Sequence, residues 1–538
     1  MDSAPNMKDY EKEYAEFSLS VPESFSFPLD VFDKWGDRLA LFWTDSVAEK
    51  KFSFNDMKFQ SSKGAGAFKK IGINKGNKVL VMLPNIPEWW EVMLGLMRLN
   101  AIPIPATTLL TSKDISYRLS ATDIKAIIAT DEDALKVEDA VNSSSTNPAL
   151  IIIGERQGWH DYIKERNRAD AVEGERASSN EPALIYFTSG TTGPPKMVLH
   201  TQASYPFAHL ITGKYWLDLK PGDVHWNLSD TGWAKAAWSS FFGPWHMGAT
   251  IFALYKKGKF DPSLTIETMQ RYPVTTFCGP PTAYRMMVKE VPVPQFTFQK
   301  MRHFVAAGEP LNKEITHIWK ERTGRYIYDG YGQTETVNVL ANFRCLTVKP
   351  GSMGVPVPGF IVDIIDDNGN PVSPGIEGDI AIKTRPEKPL GLFREYLENP
   401  EATRKTVKDQ WYITGDRAYR DEGRYFWFVG RADDIILTSG YRIGPFEIES
   451  ILSEHPAVKE CAVVASPDEI RGEVVKAFIV LTKDYSPSDA LVKELQEFVK
   501  NHTAPYKYPR RIEFVDDLPK TPSGKIKRKE LKIKEFRK

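Results

Sequence analysis

Apolar positions recur at helical spacing over Phe54–Ile71 and again over "EWWEVMLGLMRLNA" (88–101). Short unbroken apolar runs, "KVLVMLP" (78–84) and "AIPIPA" (101–106), read as buried strands. "ISYRLSATDIKAIIAT" repeats the same order, helix and then strand. Such alternation predicts a parallel sheet with helices on its faces. It resumes after Lys196 with a long helix following His200, then "TIFAL", "VTTFCGP" and "HFVAAGEPL". In open α/β sheets, ligands bind at the carboxyl ends of strands. The loops after Phe187, Cys278, Ala307 and Tyr328 are therefore expected to share one site.

From about residue 350 the pattern changes. "GSMGVPVPGFIVDIIDDNGNPVSPGIEGDIAI" is rich in Gly, Pro and β-branched residues, with "DDNGN" as a turn, and predicts a small β-subdomain. Beyond it, "EIESILSEHP", "VKECAVVAS", "VVKAFIVLT", "SDALVKELQEFVKNH" and "RRIEFVDDLP" form a compact α+β pattern. The expected architecture is α/β: a large N-terminal domain (1–432) of doubly wound sheets plus the β-subdomain, and a small mobile α+β C-terminal domain (433–538). No internal repeat is visible.

The chain has 538 residues, enough for two or more domains, with 42% hydrophobic and 26% charged residues. Lys+Arg and Asp+Glu both number 70, so neither nucleic acid nor an anionic membrane is expected as the main partner. The three cysteines, Cys278, Cys345 and Cys461, are far apart, which predicts reduced thiols rather than a zinc site or a disulfide framework. The first residues, "MDSAPNMKDYEKEYAEF", are polar and acidic and read as neither a secretory signal nor a mitochondrial presequence. No apolar run reaches membrane-spanning length. A cytoplasmic location follows as the expectation.

"YFTSGTTGPPK" (186–196) follows the apolar run that begins at Ala183. Glycine and proline end the strand, and the loop that follows offers hydroxyls and free backbone N–H groups. An anionic ligand such as a polyphosphate needs such a loop. It is not the common P-loop, because Lys196 follows Pro195 and precedes Met197.

Four further signals stand in order: "AAGEPL" (306–311), "YDGYGQTET" (328–336), "YITGD" (412–416) with "GRADDIILTSGYRIGPFEIE" (430–449), and "LPKTPSGKIKRKEL" (518–531). With these motifs in this order, the sequence resembles the acyl-adenylate-forming enzymes over nearly its whole length. "GQTETV", "GRADDIILTSGY" and "TAPYKYPR" are most similar to the medium-chain branch of the acyl-CoA synthetases. The resemblance implies a two-step reaction using ATP, Mg²⁺ and CoA. A carboxylate attacks the α-phosphate of ATP, releasing pyrophosphate; the CoA thiol then displaces AMP to give the thioester.

It also implies roles for residues. Thr188, Ser189, Gly190, Thr191, Thr192, Gly193 and Lys196 would close over the β- and γ-phosphates. Thr334 would contact the α-phosphate, Glu335 would hold Mg²⁺, and Asp416 would accept both ribose hydroxyls with Arg431 nearby. Gly308, Glu309 and Pro310, with Asp329, Gly330, Tyr331 and Gly332, would wall the adenine, and Gln333 would belong to the ATP site beside them. Lys525 would be the adenylation lysine, bridging the carboxylate and the α-phosphate, and Arg442 would assist at that end. The rest of the basic tail reads as solvated charge.

Asp433 falls at the hinge position, about which the small domain would rotate. That rotation would withdraw Lys525 and bring in Ser439, Gly440 and Tyr441 to line the pantetheine path. Arg471, Lys500, Tyr508 and Arg510 are the candidates for binding CoA's phosphates.

The acyl pocket would be walled by Trp233, Ala234, Lys235, Ala307 and Gly332. Acetate-specific members carry Trp at the place of Gly332, so a pocket extending beyond acetate is expected, for medium-length straight, branched or aromatic acids. Lys235 leaves a second option, snorkelling to solvent or meeting a polar group on a hydroxy acid such as 4-hydroxybutyrate, or on a dicarboxylate. Other acceptors also remain open: an acyl-AMP ligase serving a carrier protein, an amino-acid-adenylating domain, a luciferase-like oxygenase, or a nucleotide-binding regulator without activity. The expected partners are small molecules, with the chain a monomer or homodimer.

Overall fold

The computed structural model describes residues 3–537 apart from 189–193, 292–294, 439–440, 469–470 and 522–524. The first helix–strand alternation folds as read. Ser53 caps the helix Phe54–Ile71 by a reciprocal capping box with Asp56, and Gly72 ends it in the left-handed conformation. Helix Pro87–Arg98 follows strand Lys78–Val81, whose neighbours Ile102–Pro105 and Ile124–Thr130 pair with it in parallel. With Ala149–Ile153 and His160–Asp161 they make a five-stranded parallel sheet.

The second sheet has nine strands. Its parallel part runs Ile327–Tyr331, His303–Ala307, Thr276–Gly279, Val224–Asn227, Thr250–Leu254 and Leu39–Thr44 in spatial order. Three neighbouring strands thus end side by side at Gly279, Ala307 and Tyr331, which sets the loops after them next to one another. The helix expected after His200 is an irregular one. π-helical turns at Ala203–Phe207 and Thr212–Trp216 flank a short α segment. Pro206, inside the first of these turns, cannot donate its backbone hydrogen bond.

A third, antiparallel sheet joins Pro182–Thr188, Lys196–Thr201 and Glu395–Leu397. The β-subdomain is built on Trp411–Arg420, which pairs with Gly378–Lys383 on one side and with Phe426–Arg431. Sheet membership then changes. Ile436–Thr438 belongs to a separate five-stranded sheet with Tyr441–Ile443, Gly472–Leu481, Val458–Asp468 and Arg511–Phe514.

The basic tail departs from expectation. Arg528–Phe536 is a helix packed on this last sheet, not solvated chain. Leu531 is buried, and Glu535 accepts from Lys476 at 2.7 Å and from Ser466 at 2.9 Å. Alternating lysines hid the apolar contact and the acid that pairs inward. Among the described residues, no helix is long and apolar enough to cross a membrane.

Candidate active site

Thr188 and Lys196 face each other across the antiparallel pair that flanks the hydroxyl-rich loop. Ser189, Gly190, Thr191, Thr192 and Gly193 lie outside the described residues. Lys196 stands with its ammonium 4.7 Å from the ring centroid of Tyr396.

The loop after Tyr331 carries Gly332, Gln333, Thr334 and Glu335. His200 holds its main chain, with Nε2 2.8 Å from the Thr334 carbonyl. A carbonyl only accepts, so Nε2 carries the proton, and Nδ1 accepts from the Ser204 hydroxyl 3.0 Å away. Burial pushes His200 down to about 3, so the ring is neutral at physiological pH. Glu335 is gripped twice: Tyr396 donates to Oε1 at 2.7 Å, and the Phe393 N–H donates to its carbonyl at 2.7 Å. Burial raises the Glu335 carboxyl above the usual range, with the Tyr396 hydrogen bond opposing.

Asp416 is buried and carries several contacts. Its Oδ2 accepts from Tyr331 Oη at 2.6 Å and Gln333 Nε2 at 2.7 Å, and Arg431 Nε lies 3.3 Å from Oδ1. Such bonds to a charged acceptor are worth about 1.5–3 kcal/mol each. Gln333 is committed to protein partners: its amide also donates to Thr414 O at 2.9 Å and accepts from Tyr412 Oη at 3.2 Å. Its side chain therefore holds Asp416 in place within the ATP site expected for it.

Glu309, next to Gly308 and Pro310, accepts from Thr282 Oγ1 at 2.8 and 2.9 Å. Asp329 is buried at the end of its strand and accepts from the Gly330 N–H at 3.0 Å. Lys525 sits where Thr521 N–H donates to its carbonyl at 2.7 Å and a Lys520–Ile526 bridge closes the loop. Desolvation lowers the Lys525 ammonium below the ordinary lysine value, Glu309 and Asp416 oppose this, and Arg431 adds to it. Lys525 is solvent-accessible yet set deep among these charges. Ser450, in the helix Pro445–Glu454, donates to Asn312 Oδ1 at 2.6 Å.

Asp433 is exposed in a 3₁₀ turn, Ala432–Asp434, between the two sheets. Ser439 and Gly440 lie outside the described residues. Tyr441 and Arg442 follow in the paired strand Tyr441–Ile443, and their side chains also lie outside the description. Of the CoA candidates, Lys500, Arg510 and Tyr508 come together: the two cations stand 4.4 and 4.8 Å from the Tyr508 ring, and Arg510 donates to its hydroxyl at 2.7 Å. Arg471 lies elsewhere, beside Gly472, which pairs with Thr438.

Two of the expected pocket residues, Lys235 and Gly332, meet neighbours that no motif displays. Lys235 donates to the Ala307 carbonyl at 3.0 Å, which takes one of its three N–H donors. Gly332 does not by itself open space. A Cβ there would lie 2.5 Å from Trp238 Cη2 and 2.5 Å from the Val337 carbonyl. The ring of Trp238, held by its Nε1–H to Tyr205 Oη at 2.6 Å, fills the place that glycine vacates. Ala234 and Ala307 remain small and buried, and Trp233 is half-buried beside them. Trp238→Ala should therefore shift preference toward longer acids. At about 0.8 kcal/mol per buried methylene, kcat/KM should gain about fourfold for each added carbon, read from a straight-chain acid series.

Mg²⁺ is the metal this chemistry calls for, and Glu335 fits it. One oxygen is occupied by Tyr396, while Oε2 has no hydrogen-bond partner among the described residues. No group of three or more His, Cys, Asp or Glu stands ready as a cage among those residues. That suits Mg²⁺, which is commonly held by one or two carboxylates together with substrate phosphates.

Residues 30–397 match the AMP-binding enzyme family and residues 447–525 the AMP-binding enzyme C-terminal domain. The chain is 48% identical over 548 residues to the rat acyl-coenzyme A synthetase ACSM3, mitochondrial, covering 99% of this chain and 94% of the relative. It is 45% identical to the human acyl-coenzyme A synthetase ACSM4, mitochondrial, covering 96% of this chain and 92% of the relative. The anthranilate CoA ligase AuaEII, solved with anthranoyl-AMP, superposes with a TM-score of 0.88 at 28% identity, covering 96% of this chain and 98% of that one. A benzoate CoA ligase from Burkholderia xenovorans LB400 does so with 0.84 at 28%, covering 94% and 100%. The chain therefore belongs to the AMP-binding enzymes, among the acyl-CoA synthetases.

Proposed function

We propose that the protein is an AMP-forming acid–CoA ligase for medium-chain, branched or aromatic carboxylic acids. The observation that carries this is the placement of Lys525 in electrostatic reach of Glu309, after strand His303–Ala307, and of Asp416, which is bonded to Gln333 in the loop that carries Thr334 and Glu335. The acid's carboxylate attacks the α-phosphorus of ATP, a P–O bond to pyrophosphate breaks, and acyl-AMP forms. Lys525 and Thr334 hold the oxygens on which negative charge builds. Asp416 orients the ribose, and Glu335 would hold Mg²⁺, which neutralises phosphate charge when bound. In the second step the CoA sulfur attacks the acyl carbon, AMP leaves and the thiol proton is released. Lys500, Tyr508 and Arg510 form the cationic group for CoA's phosphates, with Arg471 a separate contact.

The two steps need the small domain in two positions, with residues 1–432 and 433–538 as the moving bodies. The change of sheet membership between Arg431 and Ile436 supports a boundary at Asp433. The relatives' names support acyl-CoA as product, and the aryl ligases among the solved structures support a pocket that admits rings. Three free thiols suit a reducing compartment, which the cytoplasm and the mitochondrial matrix both provide. The relatives carry "mitochondrial" in their names, so the cytoplasmic expectation lacks support from them, and cell fractionation decides.

The test is AMP formation with ATP and Mg²⁺, with and without CoA, over acetate, butyrate, 2-methylbutyrate, octanoate, benzoate and 4-hydroxybutyrate. CoA-dependent turnover on butyrate and longer acids, with little on acetate, is expected. Pyrophosphate release indifferent to CoA would point to another acceptor.

A further inference from the structure

We propose that Tyr396 is a positioning residue for the magnesium carboxylate, fixing Glu335 so that Oε2 faces the phosphates. The inference rests on the reading of Glu335 as the Mg²⁺ ligand. Tyr396 stands on the short strand Glu395–Leu397, which pairs with Lys196–Thr201, the strand that leaves the hydroxyl-rich loop. Val198 is its Cα partner. The strand thus extends the loop's own sheet, and its hydroxyl reaches across to a residue 61 positions earlier.

A buried phenol needs some partner, and Tyr396 is 5% exposed. Three further contacts make this pairing more than satisfaction of one hydroxyl. Phe393, on the same segment, donates its N–H to the Glu335 carbonyl, so one stretch of chain holds both ends of that residue. The face of the Tyr396 ring carries the Lys196 ammonium. His200, at the other end of the strand Lys196 begins, holds the Thr334 carbonyl. The loop strand, the candidate phosphate lysine and the metal carboxylate are therefore one frame, with Tyr396 as its joint. No motif in the sequence singles out Tyr396; it lies in "FREYLENPEA", far from the acidic residue it serves.

A partner that orients a metal ligand typically changes metal affinity or activity by about 10–100-fold. Tyr396→Phe keeps the ring and the Lys196 contact and removes only the hydroxyl. Expected is a rise of about tenfold in the Mg²⁺ concentration at half-maximal ATP–pyrophosphate exchange, with kcat at saturating Mg²⁺ within about threefold of the parent. Calorimetric titration of Mg²⁺ into enzyme plus a non-hydrolysable ATP analogue should show the same loss. Analogue binding in EDTA should not change.

In a Glu335→Gln background, adding Tyr396→Phe should then do nothing further to Mg²⁺ binding. An unchanged Mg²⁺ midpoint in the folded single variant, or an equal loss in the Gln background, overturns the inference. If the Phe variant does not fold, 2,3-difluorotyrosine at 396 keeps the shape and alters only the donor strength; a midpoint moving by less than about twofold then overturns it. A parent enzyme with no Mg²⁺-dependent exchange would instead refute the ligase reading, which separates the two failures.

Discussion

Lys525→Ala lowers acyl-adenylate formation by about three orders of magnitude and leaves thioester formation from supplied acyl-AMP within about threefold of the parent. The asymmetry follows from where the charge appears. Only the first step builds negative charge around the α-phosphorus, and Lys525 is the cation turned toward that corner among Asp416, Glu309 and Arg431. Glu309 and Asp416 act on its ammonium through their charge and favour its protonated form. Its proton is easier to lose than that of a free lysine, because desolvation outweighs the help from Glu309 and Asp416. The sign of the pH effect follows. Adenylation needs the protonated form, so its rate falls on the alkaline side at a lower pH than the ordinary lysine value. Lys525→Arg would remove that alkaline limb, because a guanidinium keeps its proton throughout, even if its different reach lowers the rate. Pyrophosphate exchange and acyl-AMP-to-CoA transfer, followed separately across pH, check all three statements. Equal loss in both half-reactions would remove Lys525 from its assigned role.

Strand ends and loops were legible in the sequence because they are local. The alternation from Phe54 to Thr130 gave strands and helices in the right order, and the Gly- or Pro-ended strands gave the loops that meet at the site. Glu335, Asp416 and Lys525 were reached through motifs. What the sequence hid are the side chains that act by long-range contact. The sequence offers His200 only as the residue before an expected helix, and its bond to Thr334 spans 134 positions. No motif marks Trp238, and only the packed structure sets its ring against Gly332. Gly332 reads as open space, and the structure sets the Trp238 ring against the place where a Cβ there would stand, since a missing side chain leaves a gap only where no neighbour fills it. Lys235 escaped for a similar reason, since its partner is a backbone carbonyl, which no sequence pattern displays.

Asp433→Pro is expected to slow thioester formation by about a hundredfold, equivalent to about 2.7 kcal/mol in the barrier, while adenylation stays within about fivefold. The geometry at 433 explains why the first step survives. Asp433 sits in the first turn of a 3₁₀ segment, where φ is near the value that proline's ring imposes and the backbone N–H is not needed for the helix. Proline therefore suits the docked pose, in which Lys525 points inward. The modest cost falls on Ala432, since the residue before a proline disfavours the helical region. Rotation of the small domain is another matter. Strand Phe426–Arg431 is tied to the large domain through the Asp416–Arg431 pairing, and Ile436–Thr438 is tied to the small domain's sheet. Only residues 432–435 lie between them, so any large change in relative orientation must be absorbed in very few dihedrals. Fixing one of them blocks the route by which the CoA-binding face, with Lys500, Tyr508 and Arg510, could reach the acyl-adenylate. Single-turnover measurement of each half-reaction reads the effect, with the melting temperature as the control for folding. An unaltered thioester rate in a folded variant would move the hinge away from Asp433, and the dihedral change would then have to be sought in Asp434 or Ile435.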